Sequence, residues 1–197
     1  MALYDQNLTF FKAQPGQAVT ATAVSELTYD LLQGLALDTL TGTYVVPPNA
    51  IIGRIRPDTT PPTRFWGQDL GAGRGMGDPS INVYADPATT PAGLTSLQVQ
   101  LLGAVDNGGG TIAGLTFVPY ITSDVLTLAD ITANFAEGLY MIADFDLPRR
   151  PIGAPLPRFL QIGFTVVGAA TGLNLKSYIG LGDTSAQDTL GQYPANF

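Results

Sequence analysis

The sequence predicts an all-β domain, and three observations carry that prediction. Glycine and proline are abundant, at 23 and 15 of 197 residues, which suits many turns and short elements. Thr and Val outnumber Lys and Glu, a balance that favours strands over helices. Several runs alternate apolar and polar residues with a period of two, as a strand with one face on a core requires.

The chain reads as a single domain over 1–197. At this size roughly 70% of the unfolded chain's surface can be buried, so a core is available without staples. Cysteine and histidine are both absent, at 0 each. Disulfides, structural zinc, thiol nucleophiles and Ser-His-Asp chemistry are therefore excluded. With 9 cations against 16 acids the net charge is −7, which repels a phosphate backbone and argues against nucleic acid as a partner. No run approaches the ~18 consecutive apolar residues of a membrane span. Met1–Gln14 has one cation, Lys12, and no apolar block, so we expect neither a signal peptide nor a membrane partner.

In chain order, Leu3–Phe11 reads as an arm or edge strand. Ala18–Ser25 alternates small residues with Thr, and Leu27–Leu32 continues it. Residues 34–68 are interrupted by Gly42, Pro47-Pro48, Gly53, Pro57 and Pro61-Pro62, and read as an extended insertion or arm with short strand candidates at Thr43–Val46 and Ala50–Ile52. Gly71–Gly77 lacks the spacing of a nucleotide-binding loop and reads as a flexible turn. Strands follow at Ile81–Tyr84 and at Leu97, Val99 and Leu101, and Asp106–Gly110 is a turn. Leu115–Ile121 is a strand that Pro119 places at an edge or bends. Ser123–Ile131 is a strand, or one turn of helix starting near Thr127. Leu139, Met141, Ala143, Phe145 and Leu147 resume the alternation.

The clearest signal is 157–183. Leu160, Ile162, Phe164 and Val166 alternate with Gln161, Gly163 and Thr165, and Gly168–Gly172 supplies a link. Leu173, Leu175, Ile179 and Leu181 then alternate again. This reads as an antiparallel hairpin. The tail, 187–197, holds Leu190, Tyr193 and Phe197 among polar residues.

No catalytic constellation emerges, and no cofactor or metal is implied. Asp144 and Asp146 share a strand face, but a solvated face explains them better than acid–base chemistry. The Asp106 turn lacks the closing Glu of a calcium loop. Interface residues are the better candidates. Arg54, Arg56 and Arg64 make 34–68 the most basic part of the chain, and Arg64 leads into Phe65 and Trp66, the composition of interface anchors, although a buried core Trp fits equally. Arg149 and Arg150 lie between prolines and read as an exposed corner or a contact with an acidic neighbour.

An ordered set of segments resembles the capsid cement (decoration) proteins of short-tailed phages, of the Bordetella-phage type. Asp5–Phe10 with Ala18–Ala23 is similar to that family's opening; Asp69–Pro79 resembles its Asp-Leu-Gly and Gly-rich turn. Leu97–Leu101 looks like its central strand, Pro157–Ile162 like its Arg-led strand, and Tyr193–Phe197 like its closing motif. Residues 34–68 depart from the family as an insertion after the first strand region. The resemblance implies a jelly-roll-like β-sandwich and a structural virion protein, not an enzyme. It would sit on the outer surface of an icosahedral phage head, commonly as a homodimer, and bind the major capsid protein. The alternative is a carbohydrate- or receptor-binding β-sandwich of a tail or fibre, which clustered exposed aromatics beside carboxylates would support.

Overall fold

A computed structural model describes residues 9–13, 15–31, 35–45, 80–109, 111–146 and 157–180. Eleven strands and one helix are present among them: β1 (Gln17–Ala18), β2 (Ala23–Val24), β3 (Leu27–Asp30), β4 (Leu35–Asp38), β5 (Ser80–Ala85), β6 (Ala92–Ala104), β7 (Val118–Thr122), β8 (Leu126–Thr127), α1 (Leu128–Ala136), β9 (Met141–Asp146), β10 (Phe159–Thr171) and β11 (Asn174–Gly180). One sheet runs β1-β11-β5-β9. The other runs β4-β3-β10-β6-β7, with β2 also paired to β10 and β8 to β6.

The principal pairs are antiparallel and nested. β1 pairs β11, β3 pairs β10, β5 pairs β9 and β6 pairs β7. Pairing of β11 with β5 and of β10 with β6 then completes each sheet. This is a long antiparallel hairpin rolled on itself, the jelly-roll arrangement of a double-sheet sandwich. The all-β, jelly-roll-like fold read from the sequence is the fold of this chain.

The core lies between the sheets. Ile81, Val83, Phe145, Leu175 and Ile179 come from the four-stranded sheet, and Leu97, Val99, Leu101, Leu160, Ile162 and Phe164 from the other; all are buried. Each such side chain contributes roughly 1.5–3 kcal/mol on burial. Phe10 and Val19 join the same core, so the end of the N-terminal segment is docked; Thr9 bridges Tyr178 of β11. α1 inserts one buried residue, Ile131. Its start is set by a capping box: Asp130 N–H donates to the Thr127 hydroxyl, and the Asp130 carboxylate accepts from Thr127 N–H at 2.8 Å. The Thr127 hydroxyl, which donates to the Asp130 carboxylate at 2.7 Å, and then the Thr127 N–H hold that carboxyl below its ordinary pKa.

Three sequence expectations need correction. β10 and β11 do not form a hairpin. They belong to different sheets, and β10 continues through Thr171 alongside Ala92 of β6. The link is the corner at Gly172, whose φ of 64° only glycine adopts easily, and it carries the chain across the sandwich. Second, the outward positions at the start of β10 are not wet. Gln161 is only 5% exposed and donates from Nε2 to the Thr28 hydroxyl at 2.7 Å. Phe159 packs with Leu37 and Ala104 in a second small core on the outer face, with Tyr44, Ile112, Leu115 and Phe117 against it. Third, the opening of the stretch 34–68 is not an excursion. Leu35–Asp38 is a sheet strand, and Val45 N–H donates back to the Ala36 carbonyl at 2.9 Å.

Other expectations hold. Leu97, Val99 and Leu101 point inward along β6. Pro119 lies in β7, an edge strand with a register shift beside it, where a missing N–H and a bend are tolerated. The Thr127 start is a nine-residue helix rather than a single turn.

Candidate functional site

The residues singled out as interface candidates, Arg54, Arg56, Arg64, Phe65, Trp66, Arg149 and Arg150, lie outside the described residues. So do Gly71–Gly77 and the tail 187–197. Asp144 is exposed on β9, opposite Asn82 of β5. Among the described residues no group of three or more acidic side chains could hold a metal ion.

The structure does show how the stems of those segments are fixed. Asp30, at the end of β3, is 0% exposed. Arg158, just before β10, holds it with a forked contact: Nε donates to Oδ1 at 3.2 Å and Nη2 to Oδ2 at 2.9 Å. Nη1 of the same guanidinium donates to Asp106 Oδ2 at 2.5 Å, and the Tyr44 hydroxyl donates to Asp30 Oδ2 at 3.0 Å. The guanidinium also lies 4.8 Å from the centre of the Phe159 ring. Planar two-pronged pairing suits arginine and could not be reproduced by lysine. Asp30, chiefly, and then Asp106 hold Arg158 protonated beyond its ordinary range.

This clamp joins β3, the 105–109 turn, the Tyr44 return and the start of β10. Tyr44 stands beside the segment 46–79, which contains Arg54, Arg56, Arg64, Phe65 and Trp66. Arg158 stands beside 147–156, which contains Arg149 and Arg150. Tyr44 and Arg158, close in sequence to those segments, therefore meet at a charged, part-buried anchor. Sequence reading placed Arg158 in a strand motif and Asp106 in a turn without linking them. The bonds from Arg158 to Asp30 and to Asp106 span 128 and 52 residues, and no local spacing signals them.

Burial pushes the Tyr44 hydroxyl up to about 12 from 10.0, and the neighbouring Asp30 charge adds to it. A group whose pKa is raised in the folded state stabilises fully below its unfolded value, and that stability is lost as pH rises through the folded value. We expect unfolding free energy to fall between pH 10 and pH 12 more steeply in the wild type than in Tyr44→Phe. Urea titrations at pH 9, 10.5 and 11.5 check this; parallel pH slopes would show that Tyr44 is not the linked group.

A second buried pair lies on the four-stranded sheet. Lys176 Nζ donates to Asp86 Oδ1 at 3.3 Å, with side chains only 8% and 6% exposed. Nearby, Tyr84 and Tyr178 stack at 5.6 Å with rings 6° from parallel. Every described tyrosine is buried or half-buried.

Among the described residues the two sheets are open along one side: β7 pairs only with β6, β8 lies next along it, and β9 pairs only with β5. Between these edges runs a groove of about 380 Å³, lined by Ile121, Thr122, Asp124, Leu126, Ile142 and Phe145 among others. On the far edge, Asp38 at the end of β4 forms an ion pair with Lys12 at 2.5 Å, and that hydrogen bond holds the Asp38 carboxyl below its ordinary pKa.

Compared with models of known protein families and with curated proteins, the chain matches none.

Proposed function

We propose that this protein is a structural component of a phage virion, binding the outer surface of an icosahedral head and cementing the lattice of its major capsid protein. The observation that carries the reading is where the family-like segments fall. Leu97–Leu101 and Pro157–Ile162, matched separately in the sequence, lie side by side, with Leu101 opposite Ile162 at the centre of a jelly-roll sheet. That is the fold the resemblance implies.

The physical picture fits a cement. A sandwich with a buried core and a buried Arg–Asp clamp is a stiff body, and stiffness limits the entropy lost on binding. Contacts repeated over a lattice gain by avidity without strong individual affinity. Arg54, Arg56, Arg64, Phe65, Trp66, Arg149 and Arg150 are the proposed capsid or inter-subunit contacts, tethered at the clamp. Self-association as a dimer belongs to the same reading. The tail- or fibre-lectin alternative gains no support from the described tyrosines.

The test is co-sedimentation of the purified chain with expanded heads that lack it. Saturable pelleting, weakened by replacing Arg54, Arg56, Arg64 and Trp66 with alanine, is expected. A deletion used for the same purpose must begin after Val45, since Leu35, Ala36 and Leu37 are core residues. Glycan binding without head binding would instead support the tail or fibre role.

A further inference from the structure

We propose that the groove between β7 and β9 is a docking site for an extended segment of the capsid shell subunit, carrying lysine or arginine in alternation with apolar residues and adding a strand to the β9 edge. That the segment belongs to a shell subunit rests on the cement reading; the chemistry of the groove does not.

Three independent features converge there. The first is backbone. Among the described residues, β9 has a partner on one side only, and an unpaired strand edge is a template for another strand. β7 is the poorer template, because Pro119 and the adjacent register shift interrupt it. In β9 the only shift lies near Met141, so Ala143–Asp146 runs regularly against β5.

The second is apolar exposure. Val118 (47%), Ile121 (36%), Val125 (55%) and Leu139 (46%) are four of the nine large exposed hydrophobics among the described residues, and all lie between the start of β7 and the start of β9. Of these, Ile121 lines the groove together with Leu126, Ile142 and Phe145, and offers apolar surface to side chains at every second position of an added strand.

The third is charge. Residues 118–146 hold Asp124, Asp130, Glu137, Asp144 and Asp146, and no lysine or arginine. Asp124 lines the groove and is exposed. Such a one-sign field selects a cationic partner and repels an acidic one, including a second copy's acidic face. The opposite edge is not of one sign: it carries a cation, Lys12, beside Asp38.

The full chain is titrated against two fluorescently labelled nine-residue peptides, one alternating lysine with valine and one alternating glutamate with valine. The lysine peptide should bind saturably and weaken several-fold between low and physiological salt; the glutamate peptide should not bind. Ile121→Arg and Asp124→Arg, at exposed positions, should each reduce binding about tenfold or more, a typical loss for a central interface contact. Leu40→Arg, at a site 90% exposed on the far edge, adds the same charge as Ile121→Arg and should leave binding within about twofold. Melting curves confirm that all three variants fold. Absence of lysine-peptide binding, equal binding of both peptides, or an equal loss in Leu40→Arg would overturn the groove assignment. Expanded heads separate the two proposals. If the wild type pellets with heads and both groove variants pellet equally well, the groove is wrong and the cement role stands. If the wild type does not pellet while the lysine peptide binds as described, the cement role is wrong and the groove stands.

Discussion

Arg158→Met is expected to destabilise the protein by about 3–5 kcal/mol, because it leaves a fully buried carboxylate without its cation. Asp30 is 0% exposed, and the Tyr44 hydroxyl that donates to it at 3.0 Å is a neutral donor that cannot balance the charge. For a chain of this size the melting temperature should fall by roughly 10 °C. The double substitution Asp30→Asn, Arg158→Met should recover part of that loss, since neither charge is then stranded. Urea unfolding of wild type, both single variants and the double variant gives the coupling. A single-variant cost below about 1 kcal/mol would mean that the pair behaves as a solvated surface contact. A destabilised clamp should also loosen the stems at Tyr44 and Arg158, so head binding should weaken in Arg158→Met below its melting point.

Phe164→Ala should cost about 3–5 kcal/mol by a different route, the loss of a large side chain from the middle of the core. Phe164 is 1% exposed and stands opposite Val99 of β6 and Ala23 of β2, so paired strands on both sides restrict collapse of the cavity. Phe164→Leu, which keeps more of the volume, should cost distinctly less. Chemical denaturation reads both, with an unchanged dependence on denaturant if the folded state keeps its topology. If Phe164→Ala cost no more than Phe164→Leu, the two sheets would not be closely packed at this point.

Much of the fold was legible because strand alternation reports burial directly. Leu97, Val99 and Leu101 point inward because a period of two leaves them no other face. Pro119 announced an edge because a central strand cannot spare its N–H. Ser123–Ile131 left a strand and one turn of helix near Thr127 both open, and the Thr127–Asp130 capping box decides for the helix. Local pattern does not report which strand pairs with which. The Gly168–Gly172 link satisfied the chemistry of a hairpin turn, yet β10 pairs with a strand some 60 residues earlier, Ile162 against Leu101, and hands the chain to the other sheet. Leu35–Asp38 was hidden by the prolines and glycines after it, which suggested irregular chain throughout. The Arg158 clamp was illegible for the same reason as the pairing: its parts come from three distant stretches. The basic and aromatic interface candidates rest on composition, while the groove between β7 and β9 arises only once the two sheet edges face each other.

The scaffold and the proposed grip are physically separable. Core and clamp set the rigidity, and under the proposal the basic segments and the open edge supply contacts. The salt response should reflect that division. With only 13% charged residues, apolar contact should carry most of the binding, and the acidic groove should add a salt-sensitive part.

The most direct measurement of the cement role is the stability of the shell itself. Expanded heads lacking this protein are heated with and without a saturating amount of it, and the temperature at which shells break is read by light scattering and electron microscopy. The account expects saturable binding at a fixed number of copies per head, together with a higher breaking temperature. Heads that break at the same temperature with the protein bound, or that fail to bind it at all, would contradict the account.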